Sequence, residues 1–195
     1  MYIKNLGNLK GLGYHKQLAF AYLACERLYP NYVHFSNKNA FGDPAILKEA
    51  IQFVRAAVLA KNINQTQRER LLHIVNEHTP LPEDFGTALA SAALDATSVI
   101  FHTLDFMSDQ NAASLEDISN AATDSVHIYI QENLSLNFQS PDFENIILQH
   151  PLMLQEVHIQ EGIITYLSKI GEVEEDDLET LMAMQDKEGK GNLGL

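Results

Sequence analysis

Apolar side chains recur every three or four residues along most of this chain, the spacing that lines one face of a helix. Tyr14, Leu18, Ala21, Tyr22, Cys25 and Leu28 make the first such stripe. Pro30 is read as its end, since proline lacks the amide a continuing helix needs. Asp43 before Pro44 opens a second helix: the carboxylate accepts from free amides, and the missing proline N–H costs nothing there. Its stripe is Leu47, Ala50, Ile51, Val54, Ala57 and Val58, with Lys48, Glu49, Gln52 and Arg55 opposite. Thr66 with Glu69 reads as a capping box for the next helix, which Thr79-Pro80 stops. A long helix is expected over 86–108, with Ala88, Ala92, Ala93 and Ala96 allowing close approach of a neighbour. Ser114 with Asp117 reads as another capping box, for a helix to about Leu136. Ser140-Pro141 opens a further segment that His150-Pro151 should kink or divide. The last helix starts in Glu174-Glu175-Asp176-Asp177, where carboxylates suit the positive end of the helix dipole.

No strand-length alternation and no hairpin signal competes with these segments. The pattern predicts one all-α domain over 1–195, a mostly antiparallel up-and-down bundle of about seven to nine helices, because the connections are short. The glycines near the end predict a loose tail over 189–195.

Composition narrows the function classes. One cysteine, Cys25, excludes an intramolecular disulfide framework and suits a reducing compartment. No secretory leader and no run of 18 apolar residues is found, so a cytoplasmic protein is expected. The net charge is −13, but it is divided: residues 1–80 carry +5 and residues 81–195 carry −18. Between Arg70 and Lys169 there is no Lys or Arg, only 14 carboxylates and six of the eight histidines. That excess argues against nucleic acid and anionic membrane as partners. Either the two halves neutralise each other, or the acidic half faces a basic partner or a divalent cation. The six histidines, surrounded by carboxylates, predict greater stability near pH 6 than near pH 8.

Motifs with defined chemistry are missing: no phosphate loop, no His-Glu-x-x-His, no paired cysteines, no EF-hand loop. No metal site and no cofactor is expected. Two places hold candidate binding residues. Glu26, Arg27, Tyr29, Tyr32, Phe41 and Asp43 bring a charged pair, aromatic rings with polar handles and a helix N-terminus close together in sequence. The alternative there is that the tyrosines close the end of the bundle while Asp43 only caps. Ser91, Asp95, Ser98, His102, Asp105 and Asp109 line one face of the long helix, where Asp95 and His102 could begin a proton-transfer network in a cleft. The simpler alternative is a solvated face, and a buried Asp95 would then need an N–H, a hydroxyl, Arg27 or Arg55 as its partner.

The block Cys25-Glu26-Arg27-Leu28-Tyr29-Pro30-Asn31-Tyr32, followed by Phe41-Gly42-Asp43, resembles the bacterial YjaG-like family, domain of unknown function 416. The likeness extends to His150-Pro151-Leu152-Met153 with Gln155-Glu156-Val157, and to Gly191-Asn192-Leu193-Gly194. It implies a cytosolic bacterial protein with an all-helical bundle fold, and brings no activity or substrate. The expected function is therefore a non-enzymatic interaction or regulatory protein that takes a protein partner or self-associates. The rival is a small-molecule or cation-binding protein, with enzymes among the options, built around Asp95 and His102. Convergence of Glu26, Arg27, Tyr32, Asp95 and His102 on one cavity would favour the rival.

Overall fold

The computed structural model describes residues 2–60, 63–185 and 190–195. Each amphipathic stripe becomes a helix: α1 Leu6–Lys10, α2 Tyr14–Asn39, α3 Pro44–Leu59, α4 Gln65–Glu77, α5 Ala88–Asp109, α6 Ala113–Asn133, α7 Phe143–Leu148, α8 Pro151–Lys169 and α9 Glu175–Gln185. Among the described residues there is no strand, and the helices form a mostly antiparallel up-and-down bundle. α2 and α5 are its axis. α5 packs along α6 and α2, and α3 packs on α2 with contacts to α4 and α5. The small residues of α5 permit this: Ala88, Ala90, Ala92, Ala93 and Ala96 are all buried. Among the described residues no helix is long and apolar enough to cross a membrane.

Local signals work best where one face decides. All six residues of the α3 stripe are buried, and Asp43 Oδ1 accepts from Ala45 N–H at 2.9 Å at its start. His150-Pro151 divides α7 from α8, with Pro151 in the first turn of α8 and His150 Nδ1 accepting from Leu152 N–H at 3.3 Å.

Four expectations are corrected. Pro30 does not end its helix; α2 runs on to Asn39. An interior proline costs about 3 kcal/mol in an isolated helix. Here Asn31, Tyr32 and Phe35 beyond it are buried in the core, and that burial holds the helix together. Nor is α4 capped by Thr66. Asn64, two residues upstream, caps it through Oδ1 to Gln67 N–H at 3.1 Å. Asn64→Ala is therefore expected to lower stability by about 1 kcal/mol, with Thr66→Ala nearly silent; urea melts showing the reverse ranking would return the cap to Thr66. Ser114 lies inside α6 and is buried, while Asn111 Oδ1 takes the Ala113 N–H at 3.0 Å.

The last correction is the tail. Gly189 lies outside the described residues, but Gly191, Asn192 and Leu193 are buried rather than loose. Asn192 donates through Nδ2 to the Ala122 carbonyl at 2.8 Å and to Ser125 Oγ at 2.9 Å, and accepts from Asn31 Nδ2 at 2.7 Å. Its backbone N–H reaches the Arg27 carbonyl at 3.2 Å, on the turn of α2 that Pro30 disturbs. A Cβ at Gly191 would stand 2.8 Å from Asn31 Oδ1 and 3.1 Å from the Arg27 carbonyl, so only glycine lets the two backbones approach.

Candidate functional site

The residues expected to form a binding surface at 26–43 are tied into the packing. Glu26 accepts from Tyr22 Oη at 3.1 Å and from Lys48 Nζ at 2.7 Å. The Lys48 ammonium also lies 5.1 Å from the centre of the Tyr29 ring, whose hydroxyl donates to the Pro44 carbonyl at 3.2 Å. Tyr32 is fully buried and donates to the His78 carbonyl at 2.8 Å. Phe41 meets Phe35 and Phe85 edge to face. Gly42 adopts φ +66°, and a Cβ there would fall 2.1 Å from Tyr32 Oη, so the turn into α3 is shaped around that hydroxyl. Asp43 is exposed at its cap.

Arg27 turns the other way. It is 5 % exposed, and its Nε donates to Glu156 Oε2 at 2.6 Å, with Glu156 fully buried. Arg27 Nη1 donates to the Gln185 carbonyl at 3.2 Å. Glu156 Oε1 accepts from Gln160 Nε2 at 2.9 Å, and Gln160 Oε1 accepts from Ser119 Oγ at 2.7 Å. A buried ion pair is tolerable when its remaining lone pairs and protons are matched this way. The locus was missed in the sequence, although a signal was there. Met153, Glu156, Gln160, Ile163 and Leu167 repeat at helical spacing, so a carboxylate and an amide occupy positions of the buried stripe of α8. Beside the pair is a cavity of about 130 Å³ with Arg27, Leu152, Gln155, Gln185, Gly191 and Asn192 among its walls. Three of the four stretches that carry the family resemblance thus meet at one place: Arg27 and Asn31, then Leu152 to Glu156, then Gly191 and Asn192.

Asp95 is half-buried on α5, and none of the partners expected for it is supplied. Arg27 is held by Glu156 and Arg55 by Glu175, and Asp95 Oδ2 accepts no hydrogen bond among the described residues. Burial, with the Asp124 carboxylate of α6 adding repulsion, pushes its pKa up to about 7. Burial raises Asp124 as well, opposed by His127, whose Nδ1 pairs with Tyr2 Oη at 2.9 Å. His102 is half-buried two turns further along α5, about 10 Å in rise, with its ring edge-on to Phe101. The cavity beside Arg27 includes none of Glu26, Tyr32, Asp95 and His102. Among the described residues no group of three or more His, Cys, Asp or Glu side chains could hold a metal ion.

The divided charge is partly closed within the chain: Lys10 pairs with Glu116, Arg27 with Glu156 and Arg55 with Glu175, each joining the basic half to the acidic one. Residues 134–154 stand outside this neutralisation. Of nine large exposed apolar side chains among the described residues, five fall in that stretch: Leu134, Phe138, Ile146, Leu148 and Leu154. Phe138 is 71 % exposed. The stretch comprises the connection after α6, all of α7 and the first turn of α8, and these three helices contact one another. No pattern argument marked it, because single exposed apolar residues are ordinary and only their grouping is informative.

A helical bundle of this fold is found among known proteins. The chain belongs to the family described as "Protein of unknown function (DUF416)", whose model matches residues 4–195. It is 23 % identical over 186 residues to the uncharacterized protein YjaG of Escherichia coli strain K12, covering 92 % of this chain and 90 % of that one. The crystal structure of a DUF416 family protein from Shewanella baltica OS155 superposes with a TM-score of 0.87 at 23 % identity, covering 97 % of each chain. That likeness establishes the fold, as the resemblance in the sequence implied.

Proposed function

We propose that this protein is a non-enzymatic interaction protein of the bacterial cytosol, and that it docks a protein partner on the corner formed by residues 134–154. The observation that carries this reading is that Leu134, Phe138, Ile146, Leu148 and Leu154 are all exposed within one stretch, on the connection after α6, on α7 and on the first turn of α8. Large apolar side chains left in water at one corner gain free energy when a second surface covers them, at roughly 25 cal/mol per Å². The dispersal of the polar candidates supports the same reading. Glu26, Tyr32 and Asp43 serve contacts within the bundle, and Asp95 and His102 lie two turns apart on α5. Cys25 is fully buried and its thiol is pushed up to about 12 by burial, so it is a core residue rather than a nucleophile. The bacterial relatives and the free cysteine support the compartment.

A photo-crosslinking phenylalanine analogue tests this in living cells. Placed at Phe138 or Leu154, it is expected to give the same discrete adduct. Placed at Leu81, which is exposed to much the same degree as Leu154 but lies elsewhere, it gives none. Equal labelling from all three positions, or no adduct from 138 and 154, would exclude the corner as a docking site.

A further inference from the structure

We infer that the occupant of this corner is a basic amphipathic helix of another protein, an inference that rests on the docking reading above and specifies its partner. The rim supplies the charge. Glu132, Asp142 and Glu144 are exposed in or beside the same stretch as the apolar side chains, and no Lys or Arg occurs anywhere in sequence between Arg70 and Lys169. Asp142 and Glu144 are in no ion pair among the described residues, and Glu132 takes only the Ala88 N–H, at 2.7 Å. The remaining exposed polar groups of the stretch, Ser135, Asn137, Gln139, Asn145 and Gln149, are neutral. Within the stretch itself a partner's charged margin therefore meets carboxylates, while one cation from outside it, Lys190, lines the cavity beside Leu152 and Gln155. Cationic side chains gain there, and anionic ones are repelled.

The fold selects the partner's secondary structure. A peptide that docks by strand addition needs a sheet edge to pair with, and none exists among the described residues. A helix satisfies its own backbone and presents one apolar face, so it suits a surface made of helix ends. A second copy of this chain is a poor occupant, because it has already spent about half of the charge required. Lys10, Arg27, Lys48, Arg55, Arg68 and Arg70, six of its 13 Lys and Arg residues, lie in ion pairs with its own carboxylates, and Lys16 Nζ is bonded to the Ile170 carbonyl. An anionic bilayer would meet the same acidic rim and be repelled.

Fluorescence anisotropy with three labelled peptides of about 18 residues, five helical turns, tests the inference. One is a Leu/Lys amphipathic helix, one has the same leucine face with Glu for Lys, and one is the Leu/Lys composition scrambled so that no apolar face forms. The full-length protein is expected to bind the first about tenfold or more tighter than either control, a difference of about 1.4 kcal/mol. Added NaCl should weaken that binding. Phe138→Ser with Leu154→Ser, and separately Asp142→Asn with Glu144→Gln, should each weaken it about tenfold; all four residues are exposed, so unchanged circular dichroism is the folding control. If the Leu/Glu helix binds as well as the Leu/Lys helix, or the Asp142/Glu144 variant binds like wild type, the basic class is wrong while the docking corner stands. If the Phe138/Leu154 variant binds the Leu/Lys helix unchanged, the corner itself is wrong. A dimer that dissociates only in the Phe138/Leu154 variant, seen by sedimentation, would replace the foreign helix with a second copy.

Discussion

Glu156→Leu is expected to lower the unfolding free energy by about 3–5 kcal/mol, the largest loss forecast for any single side chain here. The cause is what remains. Arg27, 5 % exposed and hydrogen-bonded to Glu156 at 2.6 Å, would keep its charge with no counter-ion in the core. The double variant Arg27→Met with Glu156→Leu removes both charges and is expected to recover most of that loss, since a buried pair replaced by apolar residues of like volume is often near neutral. Recovery should be incomplete, because the Gln185 carbonyl loses the Arg27 Nη1–H. The Gln160 amide still has the Ser119 carbonyl at 3.2 Å. Urea melts of the two single variants and the double one decide the matter: losses that simply add would show that the pair is not a unit.

The contrast between α3 and α8 shows which parts of this molecule were legible from sequence. In α3 every residue of the apolar stripe is buried and every charge lies opposite, so periodicity alone identifies the helix and its inward face. In α8 the same periodicity carries Glu156 and Gln160 inward, where they bond each other one turn apart, but that local pair does not explain their burial. Their remaining partners are Arg27 and Ser119, 129 and 41 residues away. Polar matching of that kind is a property of the packed bundle, and a local window cannot reveal it. The same reasoning covers Pro30 and the tail. A proline and a cluster of glycines are disruptive in isolation. Here Asn192 bonds the Arg27 carbonyl one turn from Pro30, and Gly191 is the residue small enough to lie there. The two local irregularities fit each other, a fact invisible while each is read alone. The caps at Thr66 and Ser114 failed more simply. Asn64 and Asn111 lie upstream, and an asparagine side chain accepts amide N–H groups as well as serine or threonine does.

Stability should fall as pH rises from about 4 to above 7, and Asp95 should be the principal reason. Six histidines among carboxylates suggested the same direction, but the geometry provides a different carrier. Asp95 Oδ2 is buried without a donor, and Asp124 faces it from α6, so ionisation there is resisted from both causes. With the folded pKa near 7 against 3.8 for the ordinary side chain, the folded protein holds a proton that the unfolded chain has released. A raised pKa contributes stability that is complete below the unfolded value and is lost as pH climbs through the folded one. The full window is worth on the order of 4 kcal/mol, at 1.36 kcal/mol per pH unit, and about half of it falls between pH 5.5 and pH 8. Asp124, also raised by burial, acts in the same sense, while the buried tyrosines are raised well above this range and take no part. Asp95→Asn keeps the shape and removes the charge. It is expected to raise stability at pH 8 by roughly 2–4 kcal/mol, to change little near pH 4, and to flatten the dependence between them. Denaturant melts at matched ionic strength read this directly. Equal stabilisation at both pH values would mean that the carboxyl is strained by its packing rather than by its charge.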